Sequence, residues 1–294
     1  MKKISLYTTE EELKLDLPKV YEFTYTPLTE LQKGTVGFVP LFDDVLTTAL
    51  VEGYNIFKVR QAVRQEPKAE AIENEFNFRL NKVSAQDVQV NMDELLQEVD
   101  ADLTRMSNIT IKDYLVVWDQ VGKRFLVDGD RGKAEVCIQH LHNIFEEECQ
   151  FKVLMTDPFL VQPLLTTYIS DKYALPEPFV LDSSVKLGKK CPCGKKSPSA
   201  NITIKNEDIS SQEVLNHLAK NKVVHSLGLD YDGVIYFELD HSFMINAISY
   251  EAELKYKDDV ALDAQDSFIA ELTPIMPELS KIIDKLQEEL ERVK

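Results

Sequence analysis

The chain has 294 residues, of which 44% are hydrophobic and 28% charged, and a formal net charge of −17; the length exceeds one usual domain and the composition excludes intrinsic disorder. No window approaches the roughly 18 apolar residues of a membrane span, and "MKKISLYTTEEELKLD" turns acidic where a signal peptide carries its apolar core, so a cytosolic protein without a membrane partner is expected. The acidic balance excludes wrapping nucleic acid with the whole surface, while leaving room for a local basic channel.

In chain order, "KISLY" reads as a short strand, followed by an acidic helical turn. In "NIFKVRQAVRQEPKAEAIENEFNFRLNK" the beginning alternates, with Phe57, Val59 and Val63 on one side and Lys58, Arg60 and Arg64 on the other. Pro67 stops that strand, and a helix from about Lys68 is expected to bury Ile72, Phe76 and Leu80. Val83 to Asp113 carries seven acidic residues against Arg105 and Lys112 and reads as a solvated helical projection. "TIKDYLVVWDQVGKRFLVDGD" predicts a β-hairpin turning near Gly122. A helix from about Lys133 to Cys149, a strand "FKVLM" and a helix from Pro158 to about Ser170 continue the alternation.

"YALPEPFVLDSSVKLGKKCPCGKKSPSAN", with four prolines and two glycines, reads as a loop-rich boundary before a new unit. That unit has a strand, a helix capped by Ser210 or Ser211, and a two-stranded ribbon turning at Asp232-Gly233. The chain from Glu251 onward is acidic and predicts two helices. The expected fold class is α+β, in several domains: residues 1–67 and 107–170 as a central unit, 68–106 as a projecting helical tip, and 171–294 as a C-terminal base.

The local charge reverses between Lys186 and Lys222, where eight lysines face three carboxylates for a net of +5. Lys186, Lys189, Lys190, Lys195, Lys196, Lys205 and Lys222, with Lys58, Arg60 and Arg64, are therefore candidate phosphate contacts, since cations on a phosphate backbone release counterions and carry no sequence code. A solvated face is the plainer meaning of either patch alone.

Two metal-site alternatives arise. Cys191 and Cys193 resemble the opening half of a zinc-binding tail, but its second half is missing and only His217 and His225 could be recruited from afar. Asp128 and Asp130, at the end of a strand, could hold a divalent ion for phosphodiester cleavage, although Asp-Gly-Asp is also an ordinary turn. No nucleophile with a base can be named, no catalytic residue is assigned, and no cofactor is called for. The four cysteines are too scattered for a disulfide framework.

"DISSQEVLNHLAKNKVVHSLGLDYDGVIYFEL" resembles the most recognisable stretch of the recombination-associated protein RdgC family: a helix start at Asp208 to Glu213, Asn216-His217, the strand Asn221 to Val224, and Leu227 to Tyr231. "PLTELQKGTVGFVPLF" is similar to that family's Gly-aromatic-Val-Pro element, "YLVVWDQVGKRFLVDGDRGKAE" to its Trp-bearing hairpin, and "DSFIAELTPIMPELSKIIDKLQEEL" to its C-terminal helices. The resemblance implies a ring-shaped homodimer with a positive central hole that binds double-stranded DNA with little sequence preference, restrains RecA-dependent strand exchange, and lies with the nucleoid. By position, Lys222 matches a family lysine, Lys205 lies in a basic strand, and Lys58 and Arg60 precede the tip; Ile109 stands where some members carry an aromatic near the tip. The alternatives are a metal-dependent DNA exonuclease, a label such proteins have also carried, and an acidic protein-interaction module that does not bind DNA.

Overall fold

The computed structural model describes residues 1–9, 13–43, 45, 47–49, 53–84, 91–145, 152–153, 158–171, 174–189, 201–251, 254 and 263–293. It is α+β, with helices packed on a single twelve-stranded sheet whose strand pairs are antiparallel.

The first half of the chain supplies β1 (Lys3–Thr8), α1 (Leu17–Glu22), β2 (Gly34–Val39), β3 (Thr47–Ala49), β4 (Tyr54–Arg64), α2 (Ala69–Ser84), α3 (Met92–Met106), β5 (Ile109–Asp119), β6 (Arg124–Asp128), α4 (Arg131–Leu141), β7 (Lys152–Val153) and α5 (Pro158–Ser170). The second half supplies β8 (Phe179–Lys189), β9 (Ile202–Lys205), α6 (Gln212–Ala219), β10 (Lys222–Tyr231), β11 (Ile235–Asp240), β12 (Ile245–Tyr250), α7 (Ala264–Leu272) and α8 (Ile275–Val293). The sheet order is β2-β4-β5-β6-β1-β12-β11-β10-β8-β9, with β3 added to β4 and β7 to β1. β1 is the seam: it pairs with β6 from Ile4 to Thr8, and with β12 through Lys3 and Ile4.

Alternation along the strands divides the buried side chains between the two faces. On one face Ile4, Ile56, Val117, Val185, Leu227 and Phe237 pack under α5, α6 and α8 in one core that runs across both halves. On the other, Phe38, Phe57, Val59, Trp118, Phe125 and Cys137 pack with α1 and α4. α8 enters the first core because Leu279, Ile282, Ile283, Leu286 and Leu290 recur at the three- and four-residue spacing of one helical stripe. Each such side chain contributes roughly 1.5–3 kcal/mol on burial. α5, which the sequence grouped with the central unit, packs against β10 and α8.

A buried polar network fastens α8 to the β5–β6 hairpin. Arg124, with a 2% exposed side chain, donates to Asp119 at 2.8 Å, Asp284 at 2.6 Å, Gln287 at 3.2 Å and the Ser280 carbonyl at 3.3 Å. The Ser280 hydroxyl in turn donates to Asp119 and accepts from Tyr54. Burying charge at this depth is tolerated because every guanidinium edge meets an acceptor.

Three expectations are corrected. The stretch read as a loop-rich boundary contains β8; Pro176 and Pro178 precede the strand, and Phe179, Val185 and Leu187 supply the buried side. α4 ends at Leu141, where a 3-10 turn over His142–Ile144 closes it, and the rest of the expected helix, 146–149, lies outside the described residues. α2 has no buried residue, and Ile72, Phe76 and Leu80 are only half-buried, because α3 is the element that packs most closely along it among the described residues. The expected hairpin near Gly122, the helix Pro158–Ser170 and the two C-terminal helices are observed. Among the described residues no helix is long and apolar enough to cross a membrane.

Candidate nucleic-acid interface

The basic face of β4 follows from its register with β5. Lys58 stands opposite Leu115 and Arg60 opposite Asp113. Asp113 draws both cations together: Arg60 donates to it twice, at 2.7 and 2.8 Å, and the Lys58 ammonium lies 3.5 Å away. The Arg60 guanidinium also sits 5.6 Å from the centre of the Tyr25 ring. Hydrogen bonding to Arg60 holds the Asp113 carboxyl below its ordinary range. All three side chains keep about a third of their surface in solvent, at 33%, 34% and 30% for Lys58, Arg60 and Asp113, so the patch is accessible but already half neutralised.

Arg64 is not part of that patch. It is 7% exposed, and its guanidinium donates to the carbonyls of Gln32, Thr104, Arg105 and Thr29 at 3.0–3.3 Å. This is a correction to the solvent-facing role expected from alternation. The strand continues under the end of α3, so Arg64 satisfies the last carbonyls of that helix, which have no partner within it. It anchors the α2–α3 projection to the sheet.

The second basic group lies at the far end of the sheet. Lys186 projects from between the buried Val185 and Leu187, hence on the face away from the α5–α8 core, and is ion-paired with Glu238, which also accepts from Ser226. Lys205 ends β9 and is exposed. Lys189 stands opposite Lys222 at the end of the β8–β10 ladder. Lys220, counted among the eight lysines of the cluster but not among the candidate phosphate contacts, is exposed at the end of α6. Lys190, Lys195 and Lys196, with Cys191 and Cys193, lie outside the described residues.

Charge on this half of the sheet is polarised along the strands. One end gathers Lys186, Lys189 and Lys222 beside Glu238 and Asp240, while the opposite end carries Asp182, Asp230, Asp232 and Glu251. By register, Lys58 and Arg60 share the face of Ile56, which belongs to the α5–α8 core, whereas Lys186 and Lys205 lie on the other face. The sequence did not separate these two placements.

The carboxylates considered for metal binding have structural partners. Asp128 accepts from the backbone N–H groups of Lys2 and Lys3 at 3.4 Å. Asp130 caps α4, accepting from the backbone of Lys133 and pairing with its ammonium. His225 packs edge-on against His241 with ring centres 5.1 Å apart, and burial, then His241, pushes its pKa down. Among the described residues no group of three His, Cys, Asp or Glu side chains is arranged to hold a metal ion.

Compared with known protein families, residues 1–293 match the family described as "Putative exonuclease, RdgC". The match spans essentially the whole chain, including both basic groups, the projecting helices and the Arg124 network. The chain therefore belongs to the RdgC family.

Proposed function

We propose that this protein binds double-stranded DNA without regard to sequence, as a ring-shaped homodimer, and that it restrains RecA-dependent recombination at the nucleoid. The observation that carries the reading is the gathering of lysines between Lys186 and Lys222 in a chain of net charge −17. Such a concentration against the overall balance is what phosphate-backbone binding requires. Family membership supports it.

The two basic groups lie on opposite faces by register, which is compatible with one DNA path. Seven strand-to-strand steps separate β4 from β8. At about 20° of twist per step, opposite faces rotate toward a common side. In the proposed division into central unit, tip and base, Lys58 and Arg60 belong to the central unit and Lys186, Lys205 and Lys222 to the base. The exposed Phe78, Met92, Leu96 and Met106 on the projecting helices supply apolar surface for a second copy to cover.

The test is the salt dependence of binding to a short fluorescent duplex, for the wild type and for a variant with Lys189, Lys190, Lys195 and Lys196 changed to Ala. Binding that is indifferent to sequence, weakens steeply with salt, and shows a shallower slope in the variant supports the reading. No binding at low salt overturns it in favour of an acidic interaction module. Magnesium-dependent loss of the duplex that disappears in Asp128→Ala would favour the exonuclease reading instead.

A further inference from the structure

A strand edge lies open at the acidic end of the second half-sheet. β8 is paired with β10 along Phe179, Val180 and Leu181, opposite Tyr231, Asp230 and Leu229. On its other side β9 covers it only from Ser184, opposite Lys205, to Leu187, opposite Ile202. One further bond, Asn206 N–H to the Ser183 carbonyl at 2.8 Å, closes the ladder, and the chain then turns away to bury Ile209 in the core. Among the described residues no strand lies against the outer side of Phe179–Asp182.

The divergence of the two segments leaves an open groove of about 740 Å³, lined by Leu175, Val180, Leu181, Asp182, Glu207 and Ile209. Val180 is 58% exposed in it. An unpaired edge beside an apolar floor is a template for another strand, because its N–H and C=O groups lack ladder partners. The length suits about four or five extended residues at roughly 3.3 Å each.

Charge selects the occupant. Among the described residues neither Asp182 nor Glu207 is ion-paired. Asp230, one strand in, has its pKa raised by burial, and Asp182, Asp232 and Glu251 push it the same way. This end therefore repels phosphate. A second β8 laid against the first about a two-fold axis would bring Asp182 close to its own counterpart, where like charges oppose pairing.

We infer that the open edge of β8 docks an extended, lysine- or arginine-bearing segment of a protein partner, which adds to the sheet beside Val180–Ser183 with its cations against Asp182 and Glu207. Main-chain pairing gives the affinity and the carboxylates give the choice of partner. This site is independent of the DNA reading, since it occupies the opposite end of the strands from Lys186 and Lys222.

The experiment titrates the full chain into a fluorescein-labelled octapeptide of alternating lysine and valine and follows anisotropy. Two control peptides are included: one N-methylated at alternate backbone nitrogens and one with glutamate for lysine. Saturable binding is expected, weakened about tenfold by N-methylation, because main-chain hydrogen bonds to the strand edge are lost, and weakened similarly by Asp182→Lys; the glutamate peptide should not bind. Equal binding of the N-methylated peptide would mean attraction by charge alone and overturn the strand addition. Equal binding to Asp182→Lys would place the peptide elsewhere. If Asp182→Lys changes the sedimentation of the chain without peptide, the edge is a contact between copies and the inference fails. Because the N-methylation comparison uses the unaltered protein, it stands whether or not the variant folds.

Discussion

Arg60 on β4 and Asp113 on β5 face each other across the sheet, guanidinium to carboxylate, with Lys58 at the same carboxylate. One acidic side chain thus restrains two of the candidate DNA cations. Asp113→Asn should release both and steepen the salt dependence of duplex binding, by up to about 0.9 in log–log slope for each phosphate newly contacted. An unchanged slope would remove Lys58 and Arg60 from the DNA path.

The same pair sets a pH dependence. The Asp113 pKa is lowered in the folded chain below its ordinary carboxylate value, chiefly by hydrogen bonding to Arg60. Its stabilising contribution is therefore complete above the unfolded value, near pH 4, and is lost as pH falls through the lowered folded value. Asp113→Asn should flatten that part of the acid-stability curve, by no more than about 1 kcal/mol for a pair this exposed. Urea midpoints taken at successive pH values measure it.

Arg64 holds the carbonyls of Thr104 and Arg105 at the end of α3 and those of Thr29 and Gln32 below it. Arg64→Ala should cost about 3 kcal/mol, since several buried acceptors lose a charged donor together. Arg64→Lys should recover only part, because a single ammonium cannot span the positions a planar fork reaches. Hydrogen exchange should quicken in α3 before it does in β5. A variant that keeps its stability but loses DNA binding would contradict this anchoring role.

Arg124 joins α8 to the hairpin through Asp119 and Asp284. Arg124→Met should destabilise by about 3–5 kcal/mol, leaving Asp119 buried beside an apolar chain. Asp284→Asn, at a side chain 56% exposed, should stay within about 1 kcal/mol. Equal effects from the two would mean that the outer carboxylate, not the buried pair, holds the helix.

Gly37 lies where a strand meets the segment after α1. A Cβ there would stand 2.3 Å from the Cα and N of Tyr25, which are backbone atoms that cannot swing aside. Gly37→Ala should cost about 1–3 kcal/mol or more and loosen the Tyr25–Phe38 backbone bond, which thermal unfolding would register.

Much of the fold was legible where local patterning and tertiary burial agree. Asp208 to Leu239 announced a helix and a ribbon turning at Asp232-Gly233, and both residues adopt positive φ there, at 56° and 69°. β8 was hidden because Pro176 and Pro178 stand just before it and the polar Asp182-Ser183-Ser184 interrupts its alternation, at a place where its register with β10 shifts. The candidate site was legible in its charge and not in its pairing. Asp113 lies 53 residues from Arg60 in the chain, and Arg64 meets carbonyls from two distant segments. Period-two reasoning gives a side chain its face, but what stands over that face comes from tertiary contacts.

The position of β1 has a consequence for how the protein is made. This strand is made before all of its neighbours: β6 follows about 120 residues later, β7 about 145 and β12 about 240. Until β12 emerges, Lys3 and Ile4 lack their second strand partner, and pairings this distant in sequence form slowly. The central sheet is therefore complete only after about 240 further residues have been made, and holding that segment apart from other nascent chains becomes part of its biogenesis.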